Sequence, residues 1–272
     1  MSFAPSLSLG GYAGWALLKR TLPAQTAAFV KGAEIRRDED YFRTNIGKIK
    51  TADALVSDRR LLKVALGAFG LDGDINNKAF IRKVLADGTL TTGALANRLA
   101  DKQYQKLSAA FGFGDFPIPI TQISTFPDKI LSAYETRQFE SAVGDQNGDL
   151  RLALNTQRDL PTIASKAGSS EDAKWFTIMG NPPLRKVFEK ALGLPSALGT
   201  LDLDQQLATF KSKAAAQLGS DQVSQFTDTG KVETLIRRFL IRSEADSYSA
   251  QSGASANALA IMQQIAANAR RR

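Results

Sequence analysis

The 272-residue chain contains no cysteine and no histidine. The first absence excludes disulfides, thiolate metal ligands and cysteine nucleophiles. It does not choose a compartment, because a chain without thiols tolerates either redox environment. The second absence removes the commonest general base and the commonest transition-metal ligand. Ser-His-Asp catalysis and His-containing zinc sites are thereby excluded, which leaves an enzyme only carboxylate, Lys, Tyr or Arg chemistry. Long apolar runs are missing too, and none approaches the roughly 20 residues of a membrane-spanning helix. The opening "MSFAPSLSLGGYAGWALLKR" has no basic residue ahead of its weak apolar stretch, so it does not read as a Sec signal. No run of alternating β-branched residues marks a strand, and the expected class is all-α.

What is present suits a globular protein. Hydrophobic residues make up 43% and charged residues 23% of the chain, enough apolar surface to rule out global disorder. The formal net charge of +8 fits a partner that is nucleic acid or an acidic surface. The signs are interspersed, however, as in "IRRDEDYFR", and the only pure basic run is Arg270, Arg271 and Arg272. Dedicated nucleic-acid binders concentrate their charge, so a basic nucleic-acid-binding module stands as the alternative reading.

One stretch is written nearly twice. "DRRLLKVALGAFGLD" at 58–72 returns as "NPPLRKVFEKALGLP" at 181–195. Leu61, Val64, Ala65, Ala68 and Phe69 fall at i, i+3, i+4, i+7 and i+8, one apolar stripe on a helix. Leu184, Val187, Phe188, Ala191 and Leu192 fall at the same offsets. Asp58 and Asn181 are placed to cap the N-termini, Pro182 to open its helix, and Gly70 and Gly193 to supply left-handed stops. Weaker matches flank them: "ALVSD" with "TIMGN", "EDYF" with "EDAKWF", and "YQKLSAAFGF" (104–113) with "VETLIRRFLI" (232–241). The expectation is two divergent copies of one helical module.

The boundaries follow. Residues 1–35 form an N-terminal segment, 36–115 the first repeat, 116–127 a proline-punctuated linker, 128–245 the second repeat and 246–272 a Ser/Ala-rich tail. Within the first repeat, "DINNKAFIRKVLADG" reads as a helix capped by Asp74 and stopped at Gly88, with Phe80, Ile81, Val84 and Leu85 on one face. Asp101 caps a helix carrying Tyr104, Leu107 and Phe111. "FPIPITQISTFP" breaks helices through Pro117, Pro119 and Pro127. Beyond it, Ile130, Leu131, Tyr134 and Phe139 mark a buried face, and "DLRLALNTQRDLP" a helix stopped near Pro161. In the tail, Leu259, Met262 and Ile265 form a weak amphipathic turn that reads as frayed or as ordering against a partner.

Candidate chemistry is sparse. "DQNGDL" at 145–150 imitates the start of a calcium loop, but its glycine is misplaced and Thr156 stands where a bidentate Glu is needed. It reads better as an N-cap. "LDGDIN" fails for the same lack of a closing acid, and "GFGDF" is no dinucleotide fingerprint. Trp15, Tyr41, Phe42, Trp175 and Phe176 are core candidates. Arg59 and Arg60 sit in the first turn of the repeated helix, where cations oppose the dipole. They are solvated arginines or contacts to an acidic partner, in the first copy only. No residue is expected to be catalytic, to ligate a metal or to bind a cofactor.

"YFRTNIGKIKTADALVSDRRLLKVALGAFGLD", then "FIRKVLADG" and "ALANRLADKQYQKLSAAFGF", resembles an alphaproteobacterial domain-of-unknown-function family, number 1217. The resemblance rests on the aromatic pair, on Leu55, Asp58, Leu61, Phe69, Gly70 and Leu71, and on Leu99, Tyr104, Phe111 and Phe113. It is strong over residues 40–115. It implies an all-helical, duplicated protein whose genes lie in flagellar clusters, with no catalytic residue to carry over. The expected function is therefore a non-enzymatic flagellum-associated accessory or structural protein, acting through protein–protein contacts in the cytoplasm or the flagellar basal body.

Overall fold

The computed structural model describes residues 4–269, with side chains described through Ser249 except at residue 196. Among the described residues there are thirteen α-helices and no strand. They are α1 (Gly11–Val30), α2 (Ala33–Asn45), α3 (Ala52–Ser57), α4 (Arg59–Phe69), α5 (Lys78–Asp87), α6 (Leu95–Arg98) and α7 (Gln103–Phe111). The chain continues with α8 (Phe126–Gln146), α9 (Gly148–Ala164), α10 (Glu171–Met179), α11 (Pro182–Leu192), α12 (Leu203–Leu218) and α13 (Thr229–Ala269). No helix is long and apolar enough to cross a membrane, among the described residues.

The two repeated stretches form α4 and α11, and their ends follow from local chemistry. The Asp58 carboxylate accepts from the N–H groups of Arg60 and Leu61, and the Asn181 side-chain carbonyl from Leu184. Each satisfies donors that the first helical turn leaves orphaned. Gly70 and Gly193 take φ of +72° and +63°, a conformation that costs an L side chain energy. The reversal lets Leu71 donate to the Leu66 carbonyl and Leu194 to that of Glu189, closing both helices in the same way.

Apolar side chains gather in two cores. The first contains Phe42, Leu55, Leu61, Leu62, Ile81, Leu107, Phe111, Phe126 and Tyr134. The second contains Trp15, Leu18, Phe139, Leu160, Trp175, Leu184, Phe188, Phe210 and Phe239. Helix α8 joins them, giving Ile130, Leu131 and Tyr134 to the first and Phe139 and Val143 to the second. The N-terminal helix α1 packs with the second core, far from it in sequence. There Tyr12 Oη, Trp15 Nε1 and Lys19 Nζ all donate to the Glu233 carboxylate on α13. Trp15, Phe42 and Trp175 are fully buried, and Tyr41 and Phe176 half-buried.

The two cores share a packing scheme. Helix α4 lies against α8, and α11 against α13. Ile130, Leu131 and Tyr134 of α8 are buried, as are Leu235, Ile236 and Phe239 of α13. Arg137 of α8 then reaches Gly70 at the end of α4, and Arg242 of α13 reaches Gly193 at the end of α11. Each cation sits at the negative end of a helix dipole. Helix α13 thus lies on α11 as α8 lies on α4, while α7, which carries the stretch matched to 232–241, also packs on α4 and on α5. Gly67 lets α8 approach α4 closely, since a Cβ there would lie 2.8 Å from the Tyr134 ring.

Two local expectations are corrected. Asp74 does not cap α5, because residues 72–74 form a 3-10 turn and the helix starts at Lys78. Its carboxylate accepts instead from Tyr104 Oη at 2.6 Å and from Asn77 Nδ2, tying α7 to the start of α5. Pro161 does not stop α9, which runs on to Ala164. A proline removes one donor, and so close to the C-terminus little helix remains for it to disrupt. Asp101 accepts from the Gln103 N–H at the start of α7, and Asn147 alone separates α8 from α9 while capping the latter. Helix α13 continues through the expected tail as far as Ala269. The side chains of Leu259, Met262 and Ile265, and the run Arg270–Arg272, lie outside the described residues.

Glu39 of α2 faces Glu135 of α8. Burial and then the neighbouring Glu135 carboxyl push Glu39 from 4.5 up to about 7. A carboxyl raised on folding binds its proton more tightly in the folded state, so its contribution is full below pH 4.5 and is lost as pH rises through about 7. The variant Glu39→Gln is expected to melt higher than the parent at pH 8 and level with it at pH 4. Parallel melts at the two pH values check this; an equal offset at both contradicts it.

Candidate interaction surfaces

Arg59 and Arg60 lie on the exposed side of the α4 N-terminus. Arg60 is held: its guanidinium stacks 3.9 Å from the centre of the Tyr41 ring and donates to the Arg37 carbonyl of α2 at 3.1 Å. The Tyr41 hydroxyl in turn donates to Asp58 at 2.8 Å. A cation at a helix N-terminus is unfavourable in isolation, and here the aromatic face and the α2 carbonyl offset that. Arg59 is looser, with one bond of 3.2 Å to Asn76 Oδ1. The two arginines line a cleft of about 440 Å³ together with Asp38, Lys63, Asp72 and Ile75. Its deepest acid is engaged, since Asp38 accepts from Lys63 at 2.8 Å and from the Tyr134 hydroxyl at 3.0 Å.

A second surface was not foreseen as anything but a linker. Between α7 and α8 the chain presents Phe116, Ile118 and Ile123 to solvent, 48%, 73% and 53% exposed. With Pro117, Pro119 and Ile120 they surround a shallow, almost wholly apolar depression. The segment is pinned at both ends. Asp115 accepts from the N–H groups of Thr89 and Leu90 and from the Thr89 hydroxyl. Backbone and side-chain donation outweighs its partial burial and holds the Asp115 carboxyl below the ordinary carboxylate range. Further on, Thr121 donates to the Ile49 carbonyl at 2.6 Å and Gln122 to that of Gly47 at 2.9 Å. Phe126 then enters the first core. Apolar side chains on a fixed backbone are what a binding surface offers, because little conformational entropy is left to lose. The available sequence signal was a run of Phe, Ile and Pro with no charge between Asp115 and Asp128.

A family model described as "Protein of unknown function (DUF1217)" matches residues 68–232, more than half of the chain. The chain belongs to the DUF1217 family. The match begins inside α4 and ends inside α13, so the DUF1217 region contains the apolar segment but not Arg59 or Arg60. Among solved structures, a protein from Agrobacterium tumefaciens, determined by X-ray crystallography as a structural-genomics target, is similar to this DUF1217 chain. The two are 26% identical with a TM-score of 0.72, over 89% of this chain and 98% of the other. No curated protein matches.

Proposed function

We propose that this DUF1217 protein is a non-enzymatic structural or accessory component that acts through protein–protein contacts in association with the flagellum, and that it consists of two divergent copies of one helical module. The observation that carries the contact role is the pinned, exposed Phe116–Ile118–Ile123 surface. The flagellar setting rests on the sequence resemblance. Duplication is supported by α4–α8 and α11–α13, which share caps, left-handed stops and an arginine against each stop.

The test is fractionation of native cells. Intact hook–basal bodies and cytosol are probed for the protein by mass spectrometry, beside a strain carrying Ile118→Asp. That residue is exposed, so the variant should keep its helical circular dichroism. The expected result is recovery of the parent with the basal body and loss of the variant from it. Absence of the parent from that fraction, with unchanged motility of a deletion strain, would overturn the reading. Gel shifts that weaken steeply with salt would favour nucleic-acid binding instead.

A further inference from the structure

Where the two cores meet, a cleft of about 480 Å³ opens beside the bridging helix α8. Its charged lining is Arg137, Arg151, Lys186, Asp101 and Asp149. The two acids are outnumbered by the three cations, and each already accepts a hydrogen bond. Asp101 accepts from the Gln103 N–H, and Asp149 from the Ser243 hydroxyl of α13. The three cations are not matched in the same way. Arg151 and Lys186 are exposed and make no ion pair or side-chain hydrogen bond among the described residues. Arg137 is only 15% exposed, yet its one ion pair among the described residues is with Asp159 at a long 3.9 Å, with Glu140 a further negative neighbour.

That is an unusual position for a guanidinium. It carries five donors in a planar fork suited to oxyanions. Asp159 is committed elsewhere, gripped by Arg158 at 2.9 and 3.0 Å. The end of α4 gives Arg137 a favourable dipole but no hydrogen bond. Burial and then the nearby Arg158 push the Arg137 guanidinium below its ordinary value, against the pull of Asp159 and Glu140. The cleft also receives the start of α9 at Gly148, where space is open around the backbone.

We propose that this cleft binds a tetrahedral oxyanion of the phosphate class, gripped by Arg137 at its floor and met by Arg151 and Lys186 at its rim. Such an ion would satisfy the fork bidentately. It would also bridge α8 to α9 and α11, and so join the two cores.

The full chain is titrated calorimetrically with sodium phosphate, and separately with glycerol 3-phosphate, against sodium acetate and sodium chloride at matched ionic strength. One saturable site for phosphate or its monoester, absent for acetate and chloride, is expected. The tighter of the two phosphate probes says whether the ion is free or carried on a larger molecule. The double variant Arg151→Gln/Lys186→Gln alters only exposed side chains and should weaken binding by about tenfold or more with unchanged circular dichroism. Arg137→Gln should abolish it. A phosphate response no larger than that of chloride overturns the proposal, as does full binding in the double variant. Neither result bears on the apolar surface, so the two readings fail separately.

Discussion

Replacing Arg158 with alanine is expected to destabilise the protein by about 3–5 kcal/mol. The side chain sits between two buried acids. Its Nε and one Nη donate to the two oxygens of Asp159, the same Nη reaches Asn155 Oδ1, and its other Nη lies against Glu140. The Asn155 amide closes the network by donating to Glu140 at 3.0 Å. Burial pushes the Glu140 carboxyl up while Arg158 and Arg137 pull it down. Burial would raise Asp159 too, but Arg158 outweighs it and holds that carboxyl low. Without Arg158, Glu140 is left as a charge only 6% exposed. The deficit should therefore shrink as pH falls and Glu140 takes up a proton, because the neutral acid tolerates burial. Urea unfolding at pH 8 and pH 5 measures both effects. A loss under about 1 kcal/mol, the range of a surface pair, would show that the network is hydrated and replaceable.

Trp175→Ala is expected to cost a similar amount, about 3–5 kcal/mol, through cavity formation. Trp175 is wholly buried and meets Phe188 edge-on at 5.4 Å and Phe210 at 6.0 Å. Its indole N–H donates to the Asp221 carbonyl at 2.7 Å, fastening α10 to the turn before α13. Trp175→Phe separates the two contributions. It keeps most of the packing but strands that carbonyl, so a loss of about 1–3 kcal/mol is expected. Denaturant midpoints with equal slopes for both variants would confirm that native-state packing, not the unfolded chain, is what changes.

Sequence and structure agree where the physics is local. Asp58, Gly70, Asn181 and Gly193 do what their residue types do at helix ends anywhere, so the α4 and α11 boundaries could be read directly. The all-α class followed from periodicity in the same way. Asp74 was misread because its true partner, Tyr104, lies on another helix. The like placement of α8 on α4 and of α13 on α11 was missed because it rests on what each helix covers. Arg59 and Arg60 were found as a pair, but only the fold shows that Arg60 is committed to Tyr41 and α2. The apolar segment and the Arg137 cleft were invisible for a shared reason. Exposure of an isoleucine and isolation of an arginine are tertiary properties.

The placement of α1 has a consequence for synthesis on the ribosome. Every member of the first core lies between Ile35 and Tyr134, so it can close soon after that length has emerged. The second core holds Trp15 and Leu18 but otherwise spans Phe139 to Leu240. Helix α1 can meet α8 and α9 once these have emerged, but the bond from Trp15 to Glu233 waits until more than two hundred further residues are made. Contacts of such long sequence separation form late. Exposed apolar helices in nascent chains are where chaperones bind and aggregation starts. The side of α1 that faces α13 is therefore completed late, and shielding it during translation is expected to raise the yield of folded protein.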